Sequence, residues 1–124
     1  MTDWRSLPFA PAIGTRLCGA QDVPDGQGKE IVFGDGKEAF RVVVLFVKNR
    51  WFAFHNCCPH FSIPLNYDPD RFHIFDEDLL MCAHHTAIYR LADGECIDGP
   101  CLGARLTPIP IERTVDAVFI GPSS

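Results

Sequence analysis

The 124-residue chain has no unbroken apolar run longer than residues 42–47. A helix that crosses a bilayer needs about 20. The first residues, MTDWRSLPFAPAIG, lack the basic start and the continuous apolar stretch of a signal peptide. No segment is expected to export or anchor the chain, and the expected compartment is the cytoplasm. Positive charge is scarce as well: Lys and Arg number 11 against 16 acids, a formal net charge of −5, and no basic cluster occurs anywhere. Binding of nucleic acid, which needs a basic face, is therefore not expected. No window carries a sustained i, i+3, i+4, i+7 apolar stripe, so no long helix is expected.

What is abundant is turn chemistry, with ten prolines and ten glycines, both poor guests inside helices. Between them lie short β-branched and aromatic runs. EIVFGDGKEAFRVVVLFVKNRWFAFH reads as three strands joined by a Gly-Asp-Gly turn and a Lys-Asn-Arg turn. TAIYRLADGECI reads as a hairpin turning at Asp93-Gly94, and RLTPIPIERTVDAVFIG as two closing strands. Pro108 and Pro110, two apart, predict an edge strand on which the N–H groups of one side need no partner. The fold expected is all-β, a small antiparallel sandwich or barrel with two loops inserted between strands.

Those loops carry the chemistry. HNCCPHFSIPL contains Cys57, Cys58 and His60, and LLMCAHHTAIY contains Cys82, His84 and His85. Clustered cysteines in a reducing compartment are more often metal ligands or small buried hydrophobes than disulfides. Two Cys and two His could make a tetrahedral zinc site, or a 2Fe–2S cluster with Cys on one iron and His on the other. In a zinc finger the cysteines come together and the histidines come together. Here each loop supplies one of each, which suits two mixed loops clamping a binuclear cluster.

With these residues in view, the sequence resembles the Rieske family. CPHFSIPL (58–65) is similar to that family's first loop and CAHHTAIYRLADGEC (82–96) to its second. DGPCLGARLTPIPI (98–111) is similar to the Gly-Pro turn and following strand. The resemblance covers about residues 14–121, with 1–13 an extended N-terminal segment and 122–124 a tail. It implies that Cys58, His60, Cys82 and His85 hold a Rieske-type 2Fe–2S cluster. Cys57 is then a small buried hydrophobe, and His84 has a surface or supporting part. His55 and His73 are read as strand or loop residues. Two departures stand out: 21 residues separate His60 from Cys82, more than in familiar members, and Thr86 stands where a glycine usually follows the second histidine.

The same resemblance narrows the branch. Respiratory members carry an extra cysteine in each loop, whereas Ile63 and Ala83 or His84 occupy those places here. An oxygenase α subunit would need a second domain with a two-histidine, one-carboxylate iron site, for which the chain is too short. The expected function is a soluble one-electron carrier between a reductase and a terminal oxygenase or reductase, with no reaction of its own. Alternatives are a small subunit of a larger reductase such as a nitrite reductase, and a zinc-stabilised binding module without redox activity. Pro59, Phe61, Pro64 and Gly99-Pro100 are candidates for shielding the cluster from water. Cys96 and Cys101 are read as packing residues, with a local disulfide as the other possibility. The acidic stretch 68–78 (Asp68, Asp70, Asp76, Glu77, Asp78 against Arg71) is expected to connect the loops or to steer a basic partner.

Overall fold

In the computed structural model, residues 4–36, 39–56, 73–75, 78–81, 87–99 and 103–122 are described. They form ten strands and one short 3-10 turn at Trp4–Ser6. The strands are β1 Arg16–Gly19, β2 Gln27–Phe33, β3 Phe40–Val47, β4 Arg50–His55, β5 His73–Phe75, β6 Leu79–Met81, β7 Ile88–Arg90, β8 Cys96–Asp98, β9 Ile111–Arg113 and β10 Ala117–Ile120. All pairings are antiparallel and fall into three sheets: a terminal sheet β1-β10-β9, a central sheet β2-β3-β4, and a four-stranded sheet β5-β6-β7-β8. The all-β expectation holds. Among the described residues no helix is long and apolar enough to cross a membrane.

The apolar run at residues 42–47 is explained by the central sheet. Successive side chains of a strand point to opposite faces, and here both faces are buried. Val43, Leu45 and Val47 pack with Phe54 against Leu80, Tyr89 and Cys96 of the four-stranded sheet. Phe40, Val42 and Val44 pack with Ala53 against Leu17, Val118 and Ile120 of the terminal sheet. A strand sandwiched between two layers has no face for polar residues, so it reads as a continuous run rather than an alternation. Trp4 joins the second cluster at 6% exposure.

The expected turns are present. Lys48 and Asn49 both have positive φ (49° and 62°), the geometry of a tight hairpin between β3 and β4. The β7–β8 hairpin turns through Gly94 at φ 75°. Arg90 forks onto Asp93, with Nε–Oδ1 at 3.1 Å and Nη2–Oδ2 at 2.5 Å. Those bonds, with the Glu95 backbone N–H, hold the Asp93 carboxyl at about 2.

The two prolines lie not in an edge strand, as their spacing predicts, but just ahead of β9 in a segment tied to the sheets by isolated bridges and single bonds. His55 N donates to Thr107 O and Ile109 N to Ala53 O, both at 2.9 Å, so residues 107–109 run along the free edge of β4. Pro108 falls between these bonds, in an isolated bridge with Phe54, where no donor is needed. The preceding residues bond the other sheet: Cys96 N to Ala104 O at 2.8 Å and Leu106 N to Gly94 O at 2.9 Å. The segment 104–110 thus laces the four-stranded sheet to the central one. Strands β1, β5 and β6 lie outside the sequence expectation. Each is only three or four residues long and, unlike the equally short β7 and β8, adjoins no Asp-Gly hairpin turn.

Candidate metal centre

The register of the four-stranded sheet places one residue of each strand in a single row. His73 pairs with Met81, Met81 with Ile88, and Ile88 with Asp98. This row is the end of the sheet at which three stretches attach. Residues 57–72 reach it at His73 after leaving β4, residues 82–86 connect Met81 to Ala87, and the chain departs from Asp98 into Gly99. Adjacent strands are about 4.8 Å apart. The attachment points of the two candidate ligand loops are therefore side by side.

Cys58, His60, Cys82 and His85 themselves lie outside the described residues, as do Cys57, His84, Pro59, Phe61, Pro64, Pro100 and Cys101. What is described is their frame. Around the row, Leu80, Ala87, Tyr89 and Cys96 are fully buried and pack with Phe54 and Leu106, which gives the loops a close-packed apolar frame. Gly99, just beyond the row, has φ 96°, a conformation that only glycine adopts without strain. The first stretch begins from Asn56, which is 2% exposed. Its backbone N–H donates to Arg41 O at 2.8 Å, and its side-chain Nδ2 donates to Glu30 Oε2 at 2.7 Å. Sequence reasoning missed Glu30 and Asn56. Nothing in their local sequence distinguishes them until the register of β2, β3 and β4 is known.

The other histidines and cysteines separate from the centre. His55 lies in β4 and His73 in β5, as expected for strand residues. The His55 ring stacks on Phe40 (centroids 4.4 Å apart, planes 8° from parallel), on the face turned toward the terminal sheet, and burial lowers its pKa. Cys96 is a free thiol at 0% exposure, with its Sγ 3.2 Å from Asp98 O. Cys18 is free and buried in the cluster beside the terminal sheet, and burial raises its pKa. The acidic stretch is more than a connector, because β5 lies within it. Asp78 sits beside the Phe75–Leu79 rung, about 7 Å along the strands from the row where the ligand loops attach.

The donor set suits a Rieske centre. The sequence offers two Cys and two His in mixed pairs on two stretches that attach to one sheet end. That allows both sulfurs to meet one iron and both nitrogens the other.

Comparison with known proteins agrees with this frame. Residues 15–113 match the Rieske [2Fe-2S] domain. No curated protein matches the chain in sequence. Among solved structures, a carbazole-bound oxygenase and ferredoxin complex of carbazole 1,9a-dioxygenase is similar at 18% identity and TM-score 0.72, over 89% of this chain and 29% of that one. The terminal oxygenase of carbazole 1,9a-dioxygenase from Nocardioides aromaticivorans IC177 is similar at 17% identity and TM-score 0.73, over 89% of this chain and 30% of that one. A complex of reduced oxygenase and oxidized ferredoxin in carbazole 1,9a-dioxygenase contains a chain similar at 19% identity and TM-score 0.70, over 92% of this chain and 98% of that one. This chain thus spans under a third of the first two and nearly all of the third, and at such identities the likeness speaks for the fold. The chain belongs to the Rieske [2Fe-2S] domain family, and the cofactor that goes with that domain is a Rieske-type 2Fe–2S cluster.

Proposed function

We propose that this protein is a one-electron carrier that accepts electrons from a reductase and delivers them to a terminal oxygenase or similar oxidoreductase. Cys58 and Cys82 bind one iron, and His60 and His85 bind the other. The observation that carries this reading is the row His73–Met81–Ile88–Asp98, at which both Cys/His stretches join the same sheet end. Neutral imidazoles in place of two thiolates make such a centre less negative, so it takes up an electron more readily than a four-thiolate cluster. The protein's own residues hold the four ligands, keep water from the sulfur side through the buried residues around the row, and present the histidine side to a partner.

Similarity over nearly the whole of a chain from an oxygenase–ferredoxin complex supports a free carrier over a domain of a larger enzyme. The test is protein produced with iron supplied and purified anaerobically. Two irons and two acid-labile sulfides per chain are expected, with a reduced-state EPR spectrum of mixed histidine–cysteine ligation and reoxidation by a Rieske oxygenase. Stoichiometric zinc in a colourless protein would overturn the reading in favour of a binding module. Co-purification with a large reductase subunit would assign the chain to that assembly instead.

A further inference from the structure

The inner face of the central sheet is apolar along Val43, Leu45, Val47 and Phe54 and then ends in polar groups. Glu30 pairs with Val43 across β2 and β3, and Val43 pairs with Phe54 across β3 and β4. These three share the face that meets the four-stranded sheet. Arg41 and Asn56 lie two residues from Val43 and Phe54, and a strand's side chains return to the same face at that spacing. Contact distances agree with this placement. Glu30 Oε2 accepts from Asn56 Nδ2 at 2.7 Å and lies 3.2 Å from Arg41 Nη1. The Glu30 side chain is only 6% exposed.

A carboxylate is costly to bury, and this one stands at the rim of an apolar core. Its position beside Asn56 gives it a use. Asn56 is the last described residue before Cys57, two residues ahead of Cys58. A strand end of this kind ordinarily frays. Here the Asn56 backbone is fixed by the Arg41 carbonyl and its side chain by Glu30, so the point at which the chain leaves β4 is held.

Building on the ligand assignment under the proposed function, we infer that Glu30 and Asn56 are positioning residues for the first ligand loop. Their hydrogen bond sets the point from which Cys58 and His60 approach the cluster. Groups hydrogen-bonded directly to a metal ligand change metal affinity typically ten- to a hundredfold, and Asn56, two residues ahead of Cys58, acts one step further out, toward the lower end of that range.

The experiment uses the holoprotein and four variants: Asn56→Ala, Asn56→Asp, Glu30→Gln, and the double variant Glu30→Gln/Asn56→Asp. Asn56→Ala should release iron to a chelator about tenfold faster, broaden the reduced-state EPR signal and shift the midpoint potential. Asn56→Asp sets a second carboxylate against Glu30 and should do the same. Glu30→Gln keeps an oxygen that accepts from Asn56 but loses the charge facing Arg41, so it should lower the Tm while the potential and EPR spectrum change less than in Asn56→Ala. The double variant exchanges donor and acceptor across the same gap, so it should recover most of what Asn56→Asp loses. A purely structural strand end would lower the Tm and leave the potential and EPR spectrum at their wild-type values, and that result overturns the inference. So does a double variant no better than Asn56→Asp alone, which serves as the test even where Asn56→Ala does not fold. A wild-type protein without a mixed-ligand spectrum overturns the function and this inference together. An intact wild-type spectrum that ignores Asn56 overturns this inference alone.

Discussion

Met81 stands directly opposite Ile88 in the antiparallel register of β6 and β7. Cys82 follows Met81, and Ala87, fully buried, precedes Ile88. The five residues that carry Cys82, His84 and His85 are thus held at both ends by paired strands over a buried base. The second candidate ligand pair belongs to a five-residue stretch, while the first candidate pair belongs to the longer stretch between Asn56 and His73.

The ligand assignment gives the most direct prediction. Replacing Cys58 or Cys82 with Ser, or His60 or His85 with Ala, should each abolish the mixed-ligand EPR spectrum and lower bound iron. Cys57→Ala and His84→Ala should retain the spectrum. Iron content and EPR of the six variants check this, and loss of the spectrum in either of the last two would reassign the ligands.

Redox behaviour should respond to pH with a definite sign. Reduction adds negative charge to the centre, so the ligand imidazoles bind their remaining protons more tightly in the reduced state. The midpoint potential should therefore be flat at low pH and fall as pH rises through the oxidised-state histidine pKa values. In the range of roughly −150 to +300 mV found for such centres, it should lie toward the low end. Potentiometric titration from pH 6 to about pH 11 measures both, and a potential independent of pH throughout would exclude exposed histidine ligation.

Charge near the centre separates Asp98 from Asp78. Asp98 lies in the row where the ligand loops attach, and its Oδ1 accepts from Gly99 N at 2.8 Å. Asp78 lies toward the other end of the same sheet, with its carbonyl accepting from Leu91 N at 2.8 Å. If a basic partner docks on the ligand-loop end, Asp98→Asn should slow second-order electron transfer about two- to threefold at low ionic strength. The difference should vanish in salt, because screening removes it. Asp78→Asn should change the rate less, and stopped-flow rates at several salt concentrations compare the two. Equal effects would place the docking charge elsewhere than the row.

Gly94 governs stability rather than redox chemistry. It has positive φ, and a Cβ there would meet Leu106 O at 2.9 Å and Phe54 Cε1 at 3.1 Å. The hairpin approaches the lacing segment this closely because Leu106 N donates to Gly94 O. Gly94→Ala combines backbone strain with displacement of a backbone neighbour and should destabilise the protein by about 2 kcal/mol or more. Denaturant unfolding of the holoprotein at matched cluster content gives the value. A loss below about 0.5 kcal/mol would mean that the segment shifts freely.

The sequence by itself determined the fold class, most of the long strands and the identity of the candidate donors. Those signals are local: β-branched runs bounded by glycine and proline, a Lys-Asn turn, an Asp-Gly turn, and Cys and His at fixed spacing. The alternation that sends Phe54 toward the four-stranded sheet and His55 toward the terminal sheet follows from the same period of two. Strands β1, β5 and β6 are not legible because they have too few residues to display a period and, unlike the equally short β7 and β8, no Asp-Gly turn marks them. For that reason no strand is legible in the acidic stretch, although β5 runs through it. Only the tertiary structure decided that His73, Met81, Ile88 and Asp98 form one row, and that Glu30 meets Asn56 across three strands. Register is set by which faces are buried between layers, and burial is a property of the assembled sheets that no single segment carries.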